Sequence, residues 1–362
     1  MKILFVGHLN EGQTSLMRMN SLCDLGHEVR GFNVQTEWER TGWLSRRLQQ
    51  RFNRGTAISR LNEDVLALAR NFKPQLIWAE KQEYLEPETI ADLRKTGARL
   101  LHFTPDPYFT LSWKRTRIMD ASMPLFDYLV TSKQYELPQY RALGRQVVYM
   151  PLGFSFAVHR PLNPSEARTA REFESEIGFV GGWEPRRETL LSKLAEAGHQ
   201  VKIWGYAWDH LADGRWTPRR AHRLRLLAGD EPFAIRPNTT LARAVAGGEV
   251  YADRYAWSLS GAKIGVGFLR TICPDQHTTR TFEIPACGSL LLADRTDEHR
   301  EFFEESREAD FFSSPEELVD KAKYYLSHET VRERVALAGY NRSVSSGYSY
   351  TDRVAKVLDE LQ

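Results

Sequence analysis

The sequence has little cysteine: three residues in 362, Cys23, Cys273 and Cys287, with no CxxC spacing among them. A zinc site and a disulfide framework are therefore not expected, and a reducing, cytoplasmic setting is. No run of about 18 apolar residues occurs, so no transmembrane segment is expected. The opening MKILFVGHLNEG breaks its apolar run too early for a secretion signal. Charge of one sign is also missing. Lys and Arg number 49 against 47 Asp and Glu, a formal net charge of +2, which gives no electrostatic case for a nucleic-acid partner. There is no low-complexity tract and no gathering of His, Cys, Asp and Glu at metal-ligand spacing.

What is present is a rhythm of strand, helix, strand. KILFVG (2–7) is an apolar run ending in glycine; a helical stretch follows from Thr14 to Leu25, with Gly26 placed to stop it. HEVRGFNV is a second strand, and two amphipathic helical stretches cover about 41–71. QLIWAE, ARLLHFTPD, YLVTS and QVVYMPLG are further strands with helical segments between them. This alternation predicts βαβ units and a parallel, Rossmann-like sheet. EIGFVGGWEPRRETLLSKLAEAGHQVKIWG then repeats the opening plan, and the string FVG recurs at 5–7 and 179–181. Two similar α/β domains follow, joined in the Pro- and Ser-bearing stretch 151–168. The segment 212–250, rich in Arg and without period, gives no clear reading. Near the end, Ser314, Pro315 and Glu317 predict a capped helix, Thr330 and Glu333 predict another, and a last helix is expected at about 350–361.

In open α/β sheets ligands collect beyond the carboxyl ends of the strands, near glycine turns and helix amino termini. After the first strand come Gly7, His8 and Gly12. Their spacing is not G-x-G-x-x-G, so a dinucleotide fingerprint is absent and an ordinary βα turn is equally consistent. HFTPDPYF (102–109) puts His102 and Asp106 where a later strand ends, as site residues or as a core histidine and a helix cap. GGWEPRRE (181–188) puts Gly181 and Gly182 before a helix whose first turn carries Arg186 and Arg187. Cations are unfavourable there, so either the turn is solvated or an anion such as a diphosphate lies nearby. PDQHTTRTFEIPACG places Asp275 and Glu283 with seven residues between them and Arg280 three before Glu283. Pro285 leaves room only for a short, distorted helix from about 280.

An acid, seven residues, a glutamate, then a small-small-Cys-Gly segment and an apolar strand resembles the retaining glycosyltransferases of the GT-B fold. RTFEIPACGSLLLADRTDEHREFFEE, FFSSPEELVDKAKYYLSHETVRERVALAG and YSYTDRV resemble more narrowly the CgeB (spore maturation protein) branch. FVGGWEPRRETLL and KIWGYAW fit it too. The match is strong over about 255–357, and the first half resembles the group in architecture only. Asp275 stands where the broader group has Glu.

The resemblance implies an α/β protein of GT-B type, two Rossmann-like domains facing each other across a cleft. Residues 1–155 would take the acceptor and 156–347 the nucleotide sugar, with the helix 348–362 returning to the first domain. It implies donor contacts from Gly181, Gly182, Arg186, Arg187, Gly205, Thr279, Arg280 and Glu283, the last to the ribose diol, for which a carboxylate has two acceptor oxygens. Asp275, His102 and Asp106 would serve the sugar and the chemistry, and Gly7, His8 and Gly12 the acceptor side. The expected reaction moves a sugar from a UDP-, GDP- or TDP-sugar to a hydroxyl of a glycan, protein or small molecule, with retention, without a metal and with no cofactor beyond the sugar nucleotide itself. A catalytically silent nucleotide-sugar or glycan-binding partner of an assembly complex is the alternative, and an epimerase a weaker third.

Overall fold

The computed structural model describes residues 1–112, 115–163, 165–211 and 238–361. Of the unreadable stretch 212–250, residues 212–237 lie outside these. The chain divides into two compact units, Met1–Leu152 with Tyr350–Gln362, and Gly153–Ser349.

The first unit is built on six parallel strands: β1 (Lys2–Gly7), β2 (Glu28–Asn33), β3 (Leu76–Glu80), β4 (Arg99–Thr104), β5 (Tyr128–Thr131) and β6 (Gln146–Tyr149). Their order is β2-β1-β3-β4-β5-β6. Ile3 to Val6 and Leu76 to Ala79 are fully buried, which is why these strands read as continuous apolar runs instead of alternating ones. The chain reverses direction across the sheet at β1, so the ends of β1 and β3 form the switch point where such sheets bind ligands. Trp43–Phe52 and Thr56–Phe72 are the two helices that the periodicity predicts over about 41–71, and a further short helix, Val34–Glu39, precedes them.

The last helix, Tyr350–Glu360, belongs to this unit. Val354, Val357 and Leu358 share a core with Ile3, Phe5 and Trp78. A buried charge pair supports the same place. The Arg18 guanidinium donates to Glu80 through Nε at 2.9 Å and through Nη2, and Ser15 Oγ adds a bond to the same carboxylate at 2.7 Å. Arg18 lies over the rings of Phe103 and Tyr350, at 5.1 and 4.9 Å.

The second unit repeats the plan with β7 (Ser175–Val180), β8 (Val201–Trp204), β9 (Val245–Gly247), β10 (Ala262–Gly267), β11 (Leu290–Asp294) and β12 (Asp310–Phe312). The order is β12-β11-β10-β7-β8-β9, all parallel. Counted within the unit, that is the Rossmann order 3-2-1-4-5-6, with its switch point between β7 and β10. The repeated FVG string closes the first strand of each sheet, and its glycine has a steric cause. A Cβ on Gly7 would stand 3.0 Å from the Phe5 ring, and one on Gly181 would stand 2.8 Å from the Phe179 ring.

Ser314 caps the helix Pro315–Ser327 by accepting from the Glu317 N–H at 3.1 Å. Thr330 does not cap the next one. The helix Glu329–Ser345 follows with His328 serving both as the end of one helix and the start of the other. The chain turns within a single residue, which leaves no position for a separate cap.

Candidate functional site

The residues with chemistry in the second unit converge on its switch point. The helix Pro185–Glu196 starts just beyond β7, and the short helix Arg280–Ala286 lies between β10 and β11. Arg280 Nε donates to Val180 O, the last carbonyl of β7, at 3.0 Å. Arg187 turns back from its own helix start and donates to Gly182 O at 2.9 Å and to Phe268 O, just past β10, at 3.5 Å. Two guanidiniums thus stand over the ends of the two central strands. Burial lowers the pKa of Arg187, and the positive charges of Arg270 and Arg280 add to the effect, while Glu184 opposes it.

Arg186 has a different occupation. It forms a two-pronged pair with Asp294 at the end of β11, and Asp294 Oδ2 also accepts from the Leu269 N–H at 2.8 Å. Asp294 therefore ties both the start of the helix Pro185–Glu196 and the loop after β10 to the end of β11. The glycines are also explained by packing. Gly205 has φ +149°, and a Cβ there would lie 2.0 Å from Gly181 O; a Cβ on Gly182 would meet the Tyr206 ring at 2.4 Å.

Glu283 is buried. Its Oε2 accepts from Tyr255 Oη at 2.5 Å and from Arg280 Nη1 at 3.1 Å, and Thr279 Oγ1 accepts from the same Arg280 nitrogen at 2.7 Å. Its Oε1 faces His159 Nε2 at 3.4 Å. The Ser155 N–H donates to His159 Nδ1 at 2.9 Å, which leaves the proton of the neutral ring on Nε2, the nitrogen facing the carboxylate. Burial lowers the His159 pKa; Glu283 acts against this and Arg280 with it. Asp275 is nearly buried and accepts from Cys273 Sγ at 3.2 Å. The helix over 280–286 does form, with Pro285 inside it.

His159 and Tyr255 escaped the sequence reading. His159 lies in the joining stretch 151–168, and Tyr255 on the helix Ala252–Ser260. Neither stands in a motif, and only the fold brings them to Glu283.

In the first unit His102 does not lie at the end of its strand. It sits inside β4, 1% exposed, and accepts from the Gln82 N–H through Nε2 at 3.2 Å. Burial pushes its pKa down to about 4, so it is a neutral core histidine and does not reach out of the sheet. Asp106 does lie beyond β4, paired with Lys81 beyond β3 at 2.6 Å. His8, just past β1, is half-buried, and its pKa is lowered by burial and by Lys81. Gly7 and His8 thus stand with Lys81 and Asp106 at the carboxyl ends of β1, β3 and β4. Gly12 has φ +79°, which favours glycine. The loop after Asp106 is fixed by the buried Glu136, whose carboxylate accepts from the N–H groups of Tyr108, Phe109 and Thr110 at 2.8, 3.0 and 2.8 Å.

Among the described residues no three His, Cys, Asp or Glu side chains gather as a metal set, and no helix is long and apolar enough to cross a membrane. All three cysteines are free.

Residues 186–359 match the model of a family described as glycosyl transferase-like. The spore protein CgeB of Bacillus subtilis (strain 168) is 21% identical over 269 residues, covering 70% of this chain and 72% of CgeB. HepE of Anabaena, solved in complex with UDP-glucose, superposes with a TM-score of 0.61 at 13% identity, covering 100% of this chain and 99% of that one. Sucrose-phosphate synthase of Thermosynechococcus elongatus gives 0.68 at 13% identity with the same coverage. At such identities the structures speak for the fold, and the family match speaks for the class. Together they show the GT-B fold and support a glycosyltransferase similar to CgeB.

Proposed function

We propose that this protein transfers a sugar from a UDP-sugar to an acceptor hydroxyl, with retention of anomeric configuration and without a metal ion. The observation that carries the proposal is the placing of Arg187 and Arg280 over the switch point of the second sheet. Holding two guanidiniums close together and largely out of water costs free energy, and a diphosphate offsets that cost with charge-assisted, two-pronged hydrogen bonds.

Uridine is favoured because HepE, which shares the fold, is solved with UDP and with UDP-glucose. In this reading the diphosphate lies against Arg187 and Arg280, and the ribose lies on the Glu283 side, with Thr279 steadying Arg280. The glycine turns at Gly181, Gly182 and Gly205 set the backbone beneath, and Arg186 acts through Asp294. In the reaction the bond from the anomeric carbon to the diphosphate oxygen breaks, and its electron pair leaves with UDP. The acceptor oxygen bonds the anomeric carbon on the same face and passes its proton to the departing diphosphate. The two guanidiniums stabilise the charge that develops on the leaving group, the role a divalent cation would otherwise fill. Retention rests on the Asp275 and Glu283 pattern. The acceptor, a glycan, protein or small molecule, is assigned to the strand ends of the first unit that bear Gly7, His8 and Asp106. No cofactor is required beyond the donor.

The test is release of UDP from a panel of UDP-hexoses and UDP-N-acetylhexosamines, with excess EDTA present. Release from one donor with EDTA supports the proposal. Loss of release on chelation, restored by manganese or magnesium, overturns metal independence. Tight binding of a UDP-sugar with no turnover across acceptors makes the protein a silent binding partner.

A further inference from the structure

Glu184 is a second buried carboxylate at the switch point, and neither the motif pattern nor the proposed chemistry above uses it. It occupies the position before the helix Pro185–Glu196, where a Ser, Thr or Asp would accept from the helix N–H groups. Its side chain makes no such bond. Instead Oε1 pairs with Arg187 Nη2 at 3.2 Å. Its side chain is 7% exposed, and its other oxygen, Oε2, is buried with no hydrogen-bond partner among the described residues. Arg187 Nε is likewise a buried donor with no partner there. An unused acceptor and an unused donor thus belong to one ion pair at the end of β7. Buried polar groups are seldom left in this state without a ligand to complete them.

The chemistry of that ligand follows from the charges around it. A phosphate would be repelled by Oε2. A hydroxyl suits it, because one O–H donates to the carboxylate while its oxygen accepts from the guanidinium. The arrangement also gives the site a direction. Arg280 is paired with Glu283, and Arg187 is paired with Glu184. Arg187 and Arg280 lie close enough for each to act on the other's charge. Asp275 acts on the same group, its charge adding to the burial that raises the Glu184 pKa. If the diphosphate lies on the two arginines and the ribose on the Glu283 side, the group on the Glu184 and Asp275 side is the transferred sugar.

We propose that Glu184, together with Arg187, binds a hydroxyl of the donor's sugar and so determines which sugar is accepted. The proposal rests on the UDP-sugar reading above.

The experiment is calorimetry on wild-type protein and on the Glu184→Gln and Glu184→Asp variants. The ligands are UDP, the best-bound UDP-hexose of the panel, and the analogues of that hexose lacking one hydroxyl each. Thermal melting checks that each variant is folded. Glu184→Gln should lose about 10- to 100-fold in affinity for the intact sugar nucleotide, the size of one hydrogen bond to a charged group. It should bind UDP as wild type does, and one deoxy analogue should bind wild type and variant alike. Glu184→Asp, which keeps the charge but withdraws it, should fall between the two. A variant that loses UDP and UDP-hexose equally overturns the inference and makes Glu184 a support for Arg187. So does a variant for which every deoxy analogue loses as much as the parent sugar. A wild-type protein that binds no UDP at all fails the donor reading itself, which is a separate result.

Discussion

Arg280 and Glu283 stand one helical turn apart, and their side chains meet at 3.1 Å over the end of β7. Because Glu283 is buried, its carboxylate depends on the hydrogen bonds from Arg280 and Tyr255 to offset the loss of water. Tyr255→Phe should keep the fold and lower affinity for UDP by about 0.5–1.5 kcal/mol, through a less firmly held carboxylate. Calorimetry with UDP and with 2′,3′-dideoxy-UDP checks this. The dideoxy ligand, which has no diol, should bind variant and wild type alike, and an equal loss for both ligands would place Tyr255 outside ribose recognition.

The buried pair of Arg18 and Glu80 makes a prediction about stability. Arg18→Ala leaves the buried Glu80 carboxylate without its guanidinium partner, with Ser15 Oγ still on its Oε1. Removing one partner of such a pair costs about 3–5 kcal/mol. Urea unfolding should show a loss of that size, and the double variant Arg18→Met, Glu80→Met should recover much of it. A single variant as stable as wild type would mean that the pair adds nothing to the core.

Acid should weaken the fold through its buried histidines. His102 and His299 both have pKa values pushed down to about 4 by burial, against an ordinary value near 6.5. The unfolded chain therefore binds these protons first. Their contribution is whole above pH 6.5 and is lost as pH falls toward 4, by up to about 3 kcal/mol for each histidine. His299 donates to Asp294 O through Nδ1 and accepts from Thr281 through Nε2. His299→Gln should thus lower stability at pH 7 yet flatten its slope between pH 6.5 and 4.5. A slope equal to wild type would assign the acid loss elsewhere.

Two glycines separate conformational strain from collision. Gly198 and Gly205 both have positive φ, but a Cβ on Gly198 meets nothing within 4 Å, while one on Gly205 meets Gly181 O at 2.0 Å. Gly198→Ala should cost about 1–2 kcal/mol from strain alone. Gly205→Ala must move the turn after β7 as well, so it should cost more and also weaken UDP binding. Equal losses in urea midpoint with unchanged UDP affinity would show that the turn does not shape the site.

Much of this was legible because strand burial and glycine stops leave direct traces. The run ILFV, the repeated FVG and Ser314 with Glu317 each marked their elements, and Asp275, Arg280 and Glu283 fell within one loop and helix where a motif shows. His102 was misplaced because a histidine near the end of an apolar run looks the same whether it faces the core or lies beyond the strand; the register with Ala79 puts it inside. His159, Tyr255 and Glu184 were illegible for another reason. His159 and Tyr255 owe their positions to contacts with Glu283 from 124 and 28 residues away in sequence, and Glu184 owes its role to an oxygen left without a partner.

In the proposed donor complex the second unit holds a nucleoside diphosphate against Arg187 and Arg280. The direct measurement is calorimetric titration of UDP and of uridine into wild-type protein and Arg280→Ala. Wild type should bind UDP much more tightly than uridine, and the substitution should cost UDP about 1.5–3 kcal/mol while leaving uridine unchanged. A wild-type protein that binds UDP no better than uridine, or an Arg280→Ala variant with undiminished affinity for UDP, would contradict it.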